Sequence, residues 1–454
     1  MKYFAKYMIL WICVLLCLMP FKIKAEASGR VQPVDGIVTV VIDPGHGGSN
    51  PGTESGHTIE KEMTLITAQA MYDELIKFEN VQVYMTRTKD MELDLDERAE
   101  YAESVGADFL FSIHYNASEN HTMYGTEVWI SCETPYNAYG YQFGYQHLKA
   151  FQDMGLFVRG VKNRRSTEHG HDYYGIIRQS ALLEIPSVII EHCYVDEERD
   201  AEYIENEDDF MAFGIADAHS VARYFGLKSE ALGIDYSEVP ASLPAASADA
   251  LVPQTLQDLT APDICEISIL ECDYDTGALS LSVSAADYDS PLIYYDYSID
   301  SGKTWSRLET WPGSDTLEWD YVDTFRLNLT IPGGKRPSIV LRAYNITDIS
   351  KQSNIIYFDQ TFTRREGDNS GLSASAVYEK KVPDTPATEP PEHTHTSVGT
   401  TTFEPVVSVE PEEPAGVDIL TFLKFCLALV IVLFFIVLTT QIVNYNRRKK
   451  RKKR

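Results

Sequence analysis

Residues 39–48 read TVVIDPGHGG, a β-branched run that stops at Asp43-Pro44 and turns into a histidine set among glycines. Val40, Val41 and Ile42 have the unbroken apolar character of a strand covered on both faces, and Pro44 forbids further ladder pairing. The stretch predicts a buried strand that delivers His46 to a loop. Gly45, Gly47 and Gly48 strip the backbone around the imidazole of side chains, which leaves room for a large group to approach. Two further apolar runs end in the same manner: 108–113 (DFLFSI) stops at His114 and 187–190 (SVII) stops at Glu191. Glu60 opens a segment whose apolar residues, Met63, Ile66, Ala70, Met71 and Leu75, keep near-helical spacing, so Glu60 is expected at a helix start. Strands that each stop at a His or Glu are what an α/β protein shows when its site lies at the carboxyl ends of the strands.

His46, Glu60 and His114 make a His, Glu, His set, the ligand type of a catalytic zinc site with an open position for water. Glu191 is then the carboxylate available to take that water's proton. Five separated stretches now carry a resemblance: IDPGHGG (42–48), EK (60–61), LDLDERAEYA (93–102), SIHYNA (112–117) followed by GTEVW (125–129), and IPSVIIE (185–191). In content and order they resemble the zinc-dependent N-acetylmuramoyl-L-alanine amidases, which cut peptidoglycan. The resemblance covers residues 37–227. It implies that His46, Glu60 and His114 bind Zn2+ and that Glu191 is catalytic. One departure stands out: that family usually continues after its glutamate with a small residue and Phe, whereas this chain has His192-Cys193-Tyr194. On strand geometry His192 points away from Glu191. Two other readings remain open at this stage, a non-catalytic peptidoglycan-binding module and a zinc hydrolase of another amide.

The rest of the chain is read around that domain. The 67 acidic and 39 basic residues give a net charge of −28, which excludes nucleic-acid binding through phosphate neutralisation. Such a charge suits a protein that must not stick to an anionic wall polymer. Residues 1–27 read as a signal peptide, with a basic start, a short apolar run and an Ala-Glu-Ala end. The catalytic domain is expected over 36–227, with Arg98 as an internal clamp. Within it, 159–178 concentrates Arg159, Lys162, Arg164, Arg165 and Arg178 and predicts a basic rim for the carboxylates of stem peptides. Asn116, Arg164 and Arg178 are the candidate substrate contacts. His169 and His171 read as loop histidines rather than a second metal site.

A linker rich in Ala, Ser and Pro is expected over 228–262, and an Ig-like or fibronectin-like β-sandwich over 263–360. A disordered stalk follows at 361–418. The apolar run 419–443 reads as a transmembrane helix and 444–454 as a basic cytosolic tail. The expectation is therefore a single-pass cell-membrane protein with an extracellular catalytic domain. Cys265 and Cys272 are placed on adjacent strands, in reach of a bridge, and Cys132 and Cys193 are expected as buried thiols.

Overall fold

The computed structural model describes residues 31–33, 36–56, 58–237, 250–363 and 372–378. Strand β1 (Val38–Pro44) leads through a short hairpin, β2 (Glu54–Ser55) and β3 (Thr58–Ile59), into a helix at Glu60–Leu75. Strands β4 (Val81–Met85), β5 (Phe109–Asn116), β6 (Thr126–Ile130), β7 (Val158–Asn163) and β8 (Ser187–Tyr194) join β1 in one sheet, ordered β4-β1-β5-β8-β6-β7. Neighbours run parallel except β8 and β6, so the sheet is mixed.

Because side chains alternate along a strand, each apolar run feeds two cores. Val40 and Ile42 pack with Phe109, Phe111, Val188 and Ile190 beneath the helices Glu60–Leu75, Tyr136–Asp153 and Glu207–Phe225. Val41, Leu110 and Ile189 face the other way, against the helices Leu95–Ser104 and Gly175–Leu182. The second, shorter layer leaves the carboxyl ends of β5 and β8 uncovered on its side. His114 and Glu191 emerge there.

A small hairpin, β9 (Lys228–Ser229) with β10 (Ile234–Asp235), closes this unit. Two antiparallel sheets follow. One is ordered β11 (Ile264–Cys272), β12 (Ala278–Ala286), β15 (Thr324–Thr330), β19 (Ser373–Val377). The other is ordered β14 (Glu309–Thr310), β13 (Leu292–Ser298), β16 (Ser338–Asn345), β17 (Ser350–Gln352), with β18 (Ile356–Tyr357) also on β16. Leu279, Leu281 and Val283 from the first meet Tyr295 and Leu341 from the second, and Trp311 just after β14, in one core.

The sandwich docks on β7, an edge strand of the six-stranded sheet. Thr316 Oγ1 donates to the Val158 carbonyl at 2.8 Å, and Ile346 lies where a Cβ on Gly160 would stand, 2.7 Å away. Tyr124, Phe157 and Tyr294 form an aromatic cluster with centroids 5.0–5.6 Å apart, and the Tyr294 hydroxyl donates to the Tyr124 carbonyl. The stretch whose composition reads as a linker is in part bound down. Val252 is buried in the catalytic core, its N–H donates to Asn137 Oδ1 at 2.8 Å, and Asn137 Nδ2 donates to Thr255 Oγ1 at 2.9 Å.

Four expectations are corrected. Among the described residues no helix is long and apolar enough to cross a membrane. The longest, Glu207–Phe225, carries Glu207, Asp208, Asp209, Asp217 and Arg223 and is amphipathic. The fold class of the described residues is therefore an α/β domain followed by a β-sandwich, and nothing among them supports the expected transmembrane helix, the single-pass cell-membrane placement or the membrane as a partner. The run 419–443 behind them lies outside the described residues, as do residues 1–27, most of the expected stalk and the basic tail. Cys265 and Cys272 sit at opposite ends of one strand, β11, and both are free thiols, as are the buried Cys132 and Cys193.

Tyr294 is fully buried at the junction. Tyr294→Ala should cost about 3–5 kcal/mol, as for other buried aromatics. Calorimetry should show one melting transition for the native chain and two for the variant.

Candidate active site

The site is built on the loop that follows β1. Asp43 is buried, and its carboxylate accepts from Thr86 Oγ1 (2.6 Å), Arg98 (2.7 Å) and Ser112 Oγ (2.8 Å). Arg98 also donates to the carbonyls of Pro44 (2.8 Å) and His46 (2.7 Å), so it is the clamp its sequence context predicts. A second buried guanidinium, Arg87, donates to the carbonyls of Pro44 (3.0 Å), Gly45 (2.7 Å) and Lys61 (2.8 Å). Burial, together with the charge of Arg98, pushes its pKa down to about 10. The His46 loop and the start of the Glu60 helix thus share one set of donors.

His46 Nε2 and His114 Nδ1 each lie 3.0 Å from Glu60 Oε1, and one ligand atom from each residue falls within 4.8 Å of the others. This is the one such His, Cys, Asp or Glu group among the described residues. His46 Nδ1 lies 3.0 Å from Asn50 Oδ1, which fixes the proton on that nitrogen and leaves the Nε2 lone pair directed at the cluster. Glu60 is buried at the first turn of its helix, where the helix dipole favours its charge. Its Oε2 accepts from the Thr53 N–H (2.8 Å) and its Oε1 from the Tyr115 N–H (3.1 Å). Burial opposes that charge, but the facing His114 and His46 hold the carboxyl well below the usual range. The group has the donors, charge and convergence that a divalent cation requires.

Glu191 is the register partner of His114 across β5 and β8, so the two side chains share one face of the sheet. Its other partner, across β6, is Glu127. Glu191 Oε2 is buried without a hydrogen-bond partner. Burial first, then the charges of Glu60 and Glu127, push its carboxyl well above the usual range. Glu127 is the opposite case: although fully buried, it is flanked by Lys162 and Arg159 at 2.8 Å each and held at about 2. Two adjacent carboxylates thus have opposite proton affinities, the pattern of an acid–base site. A cleft of about 230 Å³ opens on the His46 side, lined by Gly47, Asp94, Arg98 and Ile176. Another of about 510 Å³ opens on the Glu191 side.

The sequence profile of the N-acetylmuramoyl-L-alanine amidase family (Amidase_3) matches residues 40–223. The chain is 30% identical to the N-acetylmuramoyl-L-alanine amidase CwlM of Bacillus licheniformis over 48% of its own length and 81% of that protein. It is 28% identical to the sporulation-specific N-acetylmuramoyl-L-alanine amidase of Bacillus subtilis, over 47% of this chain and 79% of the relative. An N-acetylmuramoyl-L-alanine amidase structure from Clostridium difficile 630 aligns at 28% identity with a TM-score of 0.37, over 42% of this chain and 97% of that one. The chain belongs to the N-acetylmuramoyl-L-alanine amidase family.

In this amidase the sequence candidates separate. Asn116 lines the Glu191 cleft and donates to Glu127 at 2.9 Å, and Arg164 lines it with its guanidinium 3.7 Å above the Tyr173 ring. Arg178 lies apart from both clefts and donates to the carbonyls of Asp172 and Tyr173. The expected basic rim is largely neutralised, because Arg159 and Lys162 are buried against Glu127 and Arg165 pairs with Glu133. Sequence reasoning passed over Asn50, Arg87 and Glu127. A glutamate within the apolar strand TEVWI was the available signal for Glu127, since a charge there needs a buried partner.

His192 faces away from the site, as strand alternation requires. It is fully buried, with Nδ1 3.0 Å from the His114 carbonyl and Nε2 3.0 Å from Asp217 Oδ2.

A Cβ on Gly45 would stand 2.3 Å from His114 Cε1. Gly45→Ala should therefore displace the imidazole while the sheet still forms. Titration with a divalent cation followed by calorimetry should show affinity lower by about 10–100-fold, the range for a disturbed ligand orientation, with far-UV circular dichroism unchanged.

Proposed function

We propose that this amidase is zinc-dependent and hydrolyses the amide between the lactyl group of N-acetylmuramic acid and L-alanine in peptidoglycan. The observation that supports this reading most is the convergence of His46, Glu60 and His114 beside a carboxyl group of raised proton affinity, Glu191. His46, Glu60 and His114 would hold the ion. Two histidines and a glutamate with one open position are the donor set of hydrolytic zinc, and Asn50 supplies the outer hydrogen bond such a histidine needs. When bound, zinc supplies a Lewis acid that polarises the scissile carbonyl and makes a water nucleophilic near neutral pH.

The remaining chemistry belongs to Glu191. Its unpartnered Oε2 takes the proton of the attacking water and returns it to the nitrogen of L-alanine as the C–N bond breaks. Glu127 stays ionised beside it and strengthens its hold on that proton without competing for it. Lys162 and Arg159 keep that second charge in place.

Glu191→Gln should retain stoichiometric zinc by mass spectrometry and lose about 10²–10⁴-fold in turnover, the range for removal of a general acid–base. Release of stem peptides from purified wall at the native rate by the zinc-loaded variant would sink the assignment. His46→Ala should lose metal and turnover together, and full zinc content in that variant would remove His46 from the ligand set. Mass spectrometry of digested muropeptides identifies the bond: free L-alanine amino termini are expected, with the lactyl ether intact on the sugar.

A further inference from the structure

The cleft beside Glu191 is not built by the catalytic domain alone. Its floor carries Asn116, Lys162 and Arg164, but its outer wall comes from Gln257–Leu259 of the connecting stretch and from Thr347–Ile349, the turn between β16 and β17 of the sandwich. We propose that this composite cleft is the subsite for the leaving stem peptide, and that the connector and the sandwich turn decide which peptides are accepted. The proposal rests on the assignment of Glu191 as the group that protonates the leaving nitrogen. A proton donor must lie next to the atom it protonates, so the peptide that begins at that nitrogen leaves through the cleft that Glu191 lines. The glycan side then falls to the smaller cleft at His46.

The wall is prebuilt. Asn345 is fully buried, and its Oδ1 accepts from the N–H groups of Thr347 (3.1 Å) and Ile349 (3.0 Å), which sets the turn. Its Nδ2 donates to Asp258 Oδ2 (2.8 Å) and to the Thr260 carbonyl (3.0 Å), which sets the connector. One side chain thus fixes both wall elements to each other. The turn is tied to the catalytic machinery as well. Asp348 accepts from Arg159 at 2.7 Å, Arg159 donates onward to Glu127 at 2.8 Å, and Glu127 stands beside Glu191. Arg159 reaches both because the register slips at that point: Thr126 pairs with Val158 and Glu127 with Gly160, leaving Arg159 as the extra residue of a bulge.

The chemistry of the lining suits a peptide carrying a carboxylate. Asn163 and Gln257 line the cleft with amides that are each engaged on one side, Asn163 Nδ2 donating to the Thr255 carbonyl and Gln257 Oε1 accepting from the Arg165 N–H at 3.1 Å. That leaves Asn163 Oδ1 and Gln257 Nε2 for a peptide backbone, and Arg164 makes no carboxylate pair among the described residues. Leu259, 73% exposed, brings an apolar side chain to the cleft lining.

The test uses the full chain loaded with zinc and two soluble substrates: muramyl dipeptide, which ends after the second stem residue, and muramyl pentapeptide. Ile349→Trp narrows the cleft from the sandwich turn, and Leu259→Trp narrows it from the connector at an exposed position where a larger side chain costs the fold little. In both variants the ratio of kcat/KM for pentapeptide over dipeptide should fall about tenfold or more, carried by KM on the longer substrate. If Ile349→Trp does not fold, the Leu259→Trp ratio decides. A ratio equal to that of the native chain in a folded variant overturns the inference while leaving the amidase reading intact. Failure of the native, zinc-loaded chain to hydrolyse either substrate overturns the amidase reading and the inference with it.

Discussion

Two buried guanidinium groups hold the carbonyls of Pro44, Gly45 and His46, and the rest of the site follows from that constraint. A strand that ends in a buried aspartate poses an electrostatic problem, since an unpaired charge there would cost several kcal/mol. Asp43 solves it with three donors, one of them Arg98, and Arg98 then has donors left over for the loop. Arg87 extends the clamp to the Lys61 carbonyl, beside Glu60. Two of the three proposed metal ligands are thereby positioned before any ion arrives, so little ordering entropy remains to oppose binding.

The third is held from behind the sheet. His192 occupies the position where similar amidases usually have a small residue, yet it forms no part of the pocket wall. It ties the His114 carbonyl to Asp217 on the helix Glu207–Phe225, and its ring packs against Tyr115 and Phe213. The neighbouring Tyr115 hydroxyl lies 2.6 Å from Thr67 Oγ1 on the helix that begins at Glu60. His192 and Tyr115 together thus support the front from the back layer, joining the strand that carries His114 to one helix each.

What was legible in the sequence was local. Strand ends at His46, His114 and Glu191, the helix start at Glu60 and the outward turn of His192 all follow from periodicities spanning a few residues. What was not legible depends on partners distant in the chain. Arg159 and Lys162 count as basic in any window, but Glu127 lies 32 and 35 residues earlier, across a whole helix, and Asp348 in another domain. Composition likewise reads 250–260 as linker, because the groups that fix it, Asn137 and Asn345, lie far away on either side. The spacing of Cys265 and Cys272 allows a turn between them, whereas the chain keeps both on one strand.

The placement of the sandwich follows from the sheet order. In β4-β1-β5-β8-β6-β7 the strand carrying Glu191 is interior, and β7, two strands away, is an edge with unpaired backbone groups. Edges must be covered or interrupted to prevent pairing with another chain. Here Thr316 takes the Val158 carbonyl and the bulge at Arg159 breaks the ladder. A bulge also redirects its extra side chain, and the redirected residue is the guanidinium that bridges Asp348 of the sandwich and Glu127 beside Glu191. The bulge that interrupts the edge ladder therefore also supplies one of the two cations, Arg159 beside Lys162, that hold Glu127 ionised. Edge protection and the electrostatics around Glu191, the proposed proton carrier, are thus linked through Arg159, which gives a physical reason for the second domain to sit where it does.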